Sequence, residues 1–256
     1  MVSTDGAAAT TGWRRSRQRR SGGEQHPHHH RDVSGGWARA AVFGVSDGLV
    51  TNVSLVLGAV GAHPGPGVVR LAGVAGLVAG ACSMAAGEYV SMQAQRELLE
   101  RELRVERDEI ERRPEGEWRE LVHIYEARGV ATDVARRLAD EMMRTPELAL
   151  ETHAREELGV DPSELGSPVK AGVSSFLSFA LGALLPLLPW LIGSGGAATV
   201  ASVVVAGVAA LVVGGVLAVF THRPVVWSSL RQLLISAAAA AITFGIGSAV
   251  GVAGHA

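Results

Sequence analysis

The sequence predicts an all-α integral membrane protein: five transmembrane helices, with a small helical domain inserted between the second and the third. Three observations carry that expectation. Five apolar stretches, roughly 40–62, 71–92, 171–192, 197–220 and 232–253, reach the length of about 20 residues that crosses a bilayer core. No charged residue occurs between Ala171 and Thr221, a composition suited to hydrocarbon and not to a soluble domain. The acidic residues are also segregated. Of 25, 20 lie between Glu97 and Glu164 and three in the N-terminal arm, which leaves Asp47 and Glu88 alone in apolar stretches.

Residues 1–36 are rich in Gly, Ser, Arg and His and read as a disordered basic arm. His26, His28, His29 and His30 in it either bind a soft divalent metal or are accidental members of a solvated tail. No apolar core follows Arg14–Arg20 at signal-peptide distance, so the first span is expected to be its own insertion signal. Residues 37–93 hold the first two spans. From Glu88 to Arg113 there is neither Gly nor Pro, and Leu98, Leu99, Leu103 and Ile110 recur at helical spacing. The second span is therefore expected to continue unbroken to Pro114, about 60–65 Å from Leu71.

Residues 94–168 form the predicted acidic helical domain, with helices near 115–128, stopped by Gly129, and near 132–144. A third has Thr145 as N-cap and Pro146 at its first position, and Gly159 stops it. Residues 169–256 hold spans three to five. Pro186 and Pro189 in the third predict a kink or a break. Gly76 and Gly80, Gly247 and Gly251, and the stripe Ala206, Ala210, Gly214 are the small residues expected where membrane helices pack.

Arginine placement sets an orientation. Arg14, Arg15, Arg17, Arg19, Arg20, Arg31 and Arg39 precede the first span, and Arg223 and Arg231 flank the loop before the fifth. The opposite side has only Arg70. The N-terminus and the acidic block are thus expected in the cytoplasm and the C-terminus outside. Cys82 is the single cysteine, which excludes internal disulfides and multi-thiolate metal sites. Lys170 is the only lysine, and with abundant Ala and Gly this points to a GC-rich genome and a bacterial plasma membrane.

A carboxylate at bilayer depth is costly and marks an ion or proton path. Met84 and Glu88 are one helical turn apart on one face. Asp47, flanked by Gly44 and Gly48, is placed to face them from the first span. Two carboxylates and a thioether suit a stopping place for a transition-metal dication for which protons compete. The plainer alternative has Met84 packing and Glu88 at the membrane interface.

In the acidic block, Glu97–Arg101, Glu100–Arg104, Glu109–Arg113 and Glu151–Arg155 have the spacing of structural ion pairs. Glu106 with Glu109, and Glu117 with Glu120, are instead stacked like charges that repel unless a cation lies between them. With His153 they would form an oxygen-rich metal site; alternatively they are a solvated surface.

Gly44-Val45-Ser46-Asp47-Gly48 matches the Gly-x-Ser-x-Gly pattern of hydrolases but lies inside a predicted span, away from the strand–turn–helix that the motif needs. A ferroxidase requires Glu-x-x-His pairs on two facing helices, which the chain lacks. With no phosphate loop and no nucleic-acid module, the reading is neither an enzyme nor a nucleic-acid binder, and the Arg-rich arm is topogenic.

Phe43-Gly44-Val45-Ser46-Asp47-Gly48, the segment Ser83–Ser91, Leu230-Arg231-Gln232-Leu233 and Ile242–Gly247 resemble motifs of the vacuolar iron transporter (VIT) family, across about Trp37 to Gly251. The resemblance implies a homodimeric antiporter that moves Fe²⁺ or Mn²⁺ out of the cytosol against protons. No prosthetic group is implied; the partners are lipid, divalent metal ions, protons and a second copy. It also implies Asp47 and Met84 as ligands on the membrane path, to which Glu88 is added as a further stop. Glu106, Glu109, Glu117, Glu120 and Glu157 become ligands of a cytoplasmic metal-binding domain. His153 and Ala154 depart from the pattern, standing where members often carry two Met, and Phe244 replaces a usual Tyr. Met142 and Met143 lie too early to substitute and are expected to pack. A membrane-anchored metal sensor or buffer without transport is the alternative function.

Overall fold

Proline and glycine punctuate the chain where the helices begin and end. The computed structural model describes residues 36–163 and 166–253, with side chains from 41 to 251; the histidines at 26–30 and the arginine arm lie outside the described residues. In order, the described helices are α1 (Gly36–Gly61), α2 (Pro66–Arg112), α3 (Pro114–Ala127), α4 (Thr132–Met142), α5 (Pro146–Glu156), α6 (Pro168–Ile192), α7 (Gly195–Thr221) and α8 (Val225–Ala253). Four open on Pro: α2, α3, α5 and α6 have it at their first turn, where its missing N–H costs nothing, and α8 directly follows Pro224. Five helices are long and apolar enough to cross a membrane: α1, α2, α6, α7 and α8.

Helix α2 is 47 residues long, about 70 Å, and ends where Arg113 donates its N–H to Glu109 O (2.7 Å) before Pro114. Helix α8 starts at Val225, seven residues before the apolar run at 232, because Arg231 sits exposed within the helix instead of ending it. Helix α6 runs through Pro186 and Pro189 without the expected break. Neighbouring helices supply polar groups to this stretch: Asn52 Nδ2 donates to Ala183 O (2.6 Å) and Ser202 Oγ to Pro186 O (2.5 Å). These carbonyls are not the ones the prolines leave without an in-helix donor, which are those of Gly182 and Leu185, so the two bonds tie α6 to α1 and α7 and do not replace the lost ones.

Helix α6 is the hub, packing on α1 and α2 more extensively than these two pack on each other. Glycine makes the α1–α6 approach possible. A Cβ at Gly48 would overlap the Phe179 carbonyl oxygen, and one at Gly182 the Val45 carbonyl. The glycines around Asp47 therefore admit α6, not α2 as the sequence suggested. At the α1–α8 contact a Cβ on Gly251 would stand 2.7 Å from Ala62 Cα. Ala206 and Ala210 are buried with Leu49, Val53, Leu57 and Ala240, so the small-residue stripe of α7 packs as expected. Arg70 ties the start of α2 to the end of α6, donating to Trp190 O (2.7 Å) and Gly193 O (3.0 Å).

Helices α3 and α4 enclose a separate cluster of Leu121, Val122, Tyr125, Ala135 and Ala139, against which Met142 and Met143 pack. Thr145 caps α5 by accepting from Leu148 N (3.3 Å), and Gly129 and Gly159 take the left-handed φ of +85° and +66° past α3 and α5. Of the four anticipated charge pairs, Glu151–Arg155 forms (2.7 Å). Glu100 pairs backward with Arg96 (2.8 Å), and Glu97 accepts from Gln93 (2.7 Å). Arg113 is taken up by the α2–α3 junction, where its carbonyl accepts from Gly116 N (2.7 Å).

Candidate metal centre

Three helices deliver one cluster. Glu106 comes from the far half of α2, Glu117 from α3 after the Pro114 turn, His153 from α5, and Glu157 from the residue that caps α5. His153 Nδ1 lies 2.5 Å from Glu157 Oε1, 3.1 Å from Glu106 Oε1 and 3.7 Å from Glu117 Oε2. One ligand atom from each of the four residues falls within 4.8 Å of the others. His153 is fully buried, Glu117 is 5% exposed and Glu106 9%. Glu106 Oε1, Glu117 Oε2 and His153 Nε2 are buried with no hydrogen-bond partner. Buried polar atoms are nearly always paired, so this set is incomplete as a purely structural device.

The electrostatics agree. Burial, followed by repulsion from Glu157, pushes the Glu106 carboxyl up to about 7, against a partial offset from His153. Burial, then Glu120 and Glu109, pushes Glu157 up to about 7, and burial raises Glu117 as well. Asp161, nearby in sequence but hydrogen-bonded by Ser163 and Arg155, goes the other way, to about 2. Glu109 and Glu120 are exposed and stand outside the four-residue group; they act on it by charge. Three carboxylate oxygens and an imidazole are a donor set for a borderline divalent transition metal.

The membrane residues are not gathered in this way. Asp47 is exposed on α1, and Thr51 Oγ1 donates to it at 3.5 Å. Met84 is half-buried and packs on Ala81, Phe179 and Ala183. Glu88 is half-buried one turn further on. No hydrogen bond or ion pair joins Asp47 to Glu88 among the described residues. Two polar features went unremarked in the sequence. Asn52 is fully buried with Oδ1 unpartnered, and Gln232 Nε2 donates to Ser46 Oγ (2.7 Å), joining α8 to the residue beside Asp47. A lone carboxamide inside the first apolar run was the available signal for Asn52; nothing in spacing pairs Ser46 with Gln232.

Residues 38–248 match the model of the VIT family. Among curated relatives, a protein named vacuolar iron transporter from Acanthamoeba castellanii is 36% identical over 217 residues, covering 83% of this chain and 78% of that protein. One of the same name from Centaurea cyanus is 32% identical, covering 87% and 91%. Vacuolar iron transporter homolog 3 of Arabidopsis thaliana is 33% identical, covering 86% of each. With five bilayer-length helices, the motifs around Asp47 and Glu88 in the first two, and a match across most of its length, the chain belongs to the VIT family.

Proposed function

We propose that the chain is a secondary transporter that moves divalent iron or manganese out of the cytosol in exchange for protons. The observation that carries this reading is the convergence of Glu106, Glu117, Glu157 and His153 at the end of a helix whose other half is a candidate span. The names of its relatives support iron as a cargo. In this reading residues 94–168 are a cytoplasmic domain that collects the ion, with Glu109 and Glu120 adding negative charge at the rim. Asp47, Met84 and Glu88 then pass it across the bilayer.

The arginine distribution supports a cytoplasmic N-terminus and an outward C-terminus. Asp47 is exposed on a helix of spanning length, and a carboxylate against hydrocarbon is costly. That cost supports a homodimer in which a second copy shields this face of α1. Ion and proton would compete for the same carboxylates, which makes exchange the economical mechanism.

The test is uptake of Mn²⁺, Fe²⁺ and Zn²⁺ into proteoliposomes that contain a pH dye, for wild type and Asp47→Ala. Metal entry with opposing proton movement, abolished in the variant, is the expected result. Equal flux through correctly inserted Asp47→Ala would overturn the path. Absence of flux in wild type, with metal still bound, would instead identify a sensor or buffer.

A further inference from the structure

We propose that His153 is the specificity-determining residue of the cluster, biasing it toward Fe²⁺ and Zn²⁺ over Mn²⁺ and rejecting Mg²⁺ and Ca²⁺. The proposal rests on the reading of Glu106, Glu117, Glu157 and His153 as a metal site. Its starting point is the placement of one nitrogen. His153 is fully buried, and its Nδ1 faces carboxylates from three separate elements at 2.5, 3.1 and 3.7 Å. The other ring nitrogen, Nε2, is buried and makes no hydrogen bond, so the ring is not held for a contact on its far side. Ala154 beside it is fully buried and brings no donor atom. Glu106 Oε1 and Glu117 Oε2 are likewise buried without a hydrogen bond, and the nitrogen they face is Nδ1, which Glu157 Oε1 also approaches at 2.5 Å.

What that nitrogen does to selectivity follows from ligand chemistry. Three carboxylates alone would be a hard, all-oxygen site, attractive to Mg²⁺, Ca²⁺ and Mn²⁺. Exchanging one oxygen donor for imidazole favours ions later in the divalent series, because Zn²⁺ and Fe²⁺ bind nitrogen better than Mn²⁺, and Mg²⁺ and Ca²⁺ bind it poorly. The rim charges of Glu109 and Glu120 attract every dication alike and cannot supply the discrimination. His153 is the only nitrogen donor among the four residues that converge.

The experiment is equilibrium competition between Zn²⁺, anaerobic Fe²⁺, Mn²⁺ and Mg²⁺ for the full chain in detergent, comparing wild type with His153→Gln and Glu117→Gln. His153→Gln keeps a polar side chain with an oxygen donor. It is expected to weaken Zn²⁺ and Fe²⁺ by about 10–100-fold and Mn²⁺ by less than about threefold. Unchanged ion ratios, or an equal loss for every ion, would overturn the proposal. Glu117→Gln is expected to weaken all ions; if it leaves all of them at wild-type affinity, the metal-site reading itself fails, whatever His153 does. Should the Gln variant not fold, pulsed electron spin-echo spectroscopy of Mn²⁺ on the wild-type protein decides. Modulation from a coordinated ¹⁴N is expected, and its absence refutes ligation by His153.

Discussion

The acidic residues of this chain occupy two regions that solve opposite problems. In the membrane half, Asp47 and Glu88 stand singly on apolar helices, and the packing around them is made by glycine and small side chains. In the α2–α3–α5 cluster, three carboxylates crowd one histidine, and burial with repulsion from neighbouring carboxylates pushes Glu106 and Glu157 up to about 7. The first region is held together without its charges, whereas the second is strained by them. A lone carboxylate is suited to brief contact with a passing ion. A crowded set gains stability only when an ion or protons are present, which suits holding.

The sharpest break of this contrast is Gly48→Val. Its side chain would enter the Phe179 backbone, which has nowhere to move without separating α1 from α6. We expect a loss of about 3 kcal/mol or more, read as failure to fold or a collapse of thermal stability in detergent. A normally stable variant would mean that the α1–α6 contact is not the hub of the membrane half.

The next effect tests the strained region. Glu106→Gln removes one of the crowded charges and should stabilise the metal-free protein at pH 8 by about 1–3 kcal/mol, while reducing the stabilisation that metal adds. The sign with pH follows from the raised values. Between about pH 4.5 and 7 the folded state holds more protons than the unfolded, so this contribution to stability is complete below 4.5 and lost as pH rises through about 7. Metal-free wild type should therefore melt lower at pH 8 than these carboxylates allow at pH 5, with a flatter profile in Glu106→Gln. Identical profiles for the two proteins would show that Glu106 is not under strain. The smallest effect lies at the far end of α5 from the cluster: Thr145→Ala removes the cap on that helix and should cost about 1 kcal/mol by thermal unfolding, without altering the ranking of metals.

Much of the architecture was legible because its signals are local. Spanning length, the Pro and Gly stops and the Thr145 cap each depend on a few adjacent residues. The unbroken α2 followed from the absence of Gly and Pro between Glu88 and Arg113. Signals that depend on a partner were read less well. Pro186 and Pro189 suggested a break because the packing of α6 against α1, α2 and α7, which holds the helix on several sides, is not visible in a local pattern. Gly48 promised a close approach but not its identity, and the approach proved to be α6. Arg231 interrupted the apolar pattern without interrupting the helix. In the candidate site, spacing singled out Glu106, Glu109, Glu117 and Glu120 together, yet only tertiary packing separates Glu106 and Glu117, which turn inward, from Glu109 and Glu120, which remain exposed.

Helix α2 joins the two regions as one continuous helix of about 70 Å, with no glycine or proline in its outer half where a kink would form. It is therefore a lever. With its base tied by Arg70 to the end of α6, a tilt of about 5° would sweep the far tip through about 6 Å, more than the separation of the four ligand atoms. Rocking in the bilayer and a change of grip on Glu106 would then be a single motion seen from two ends.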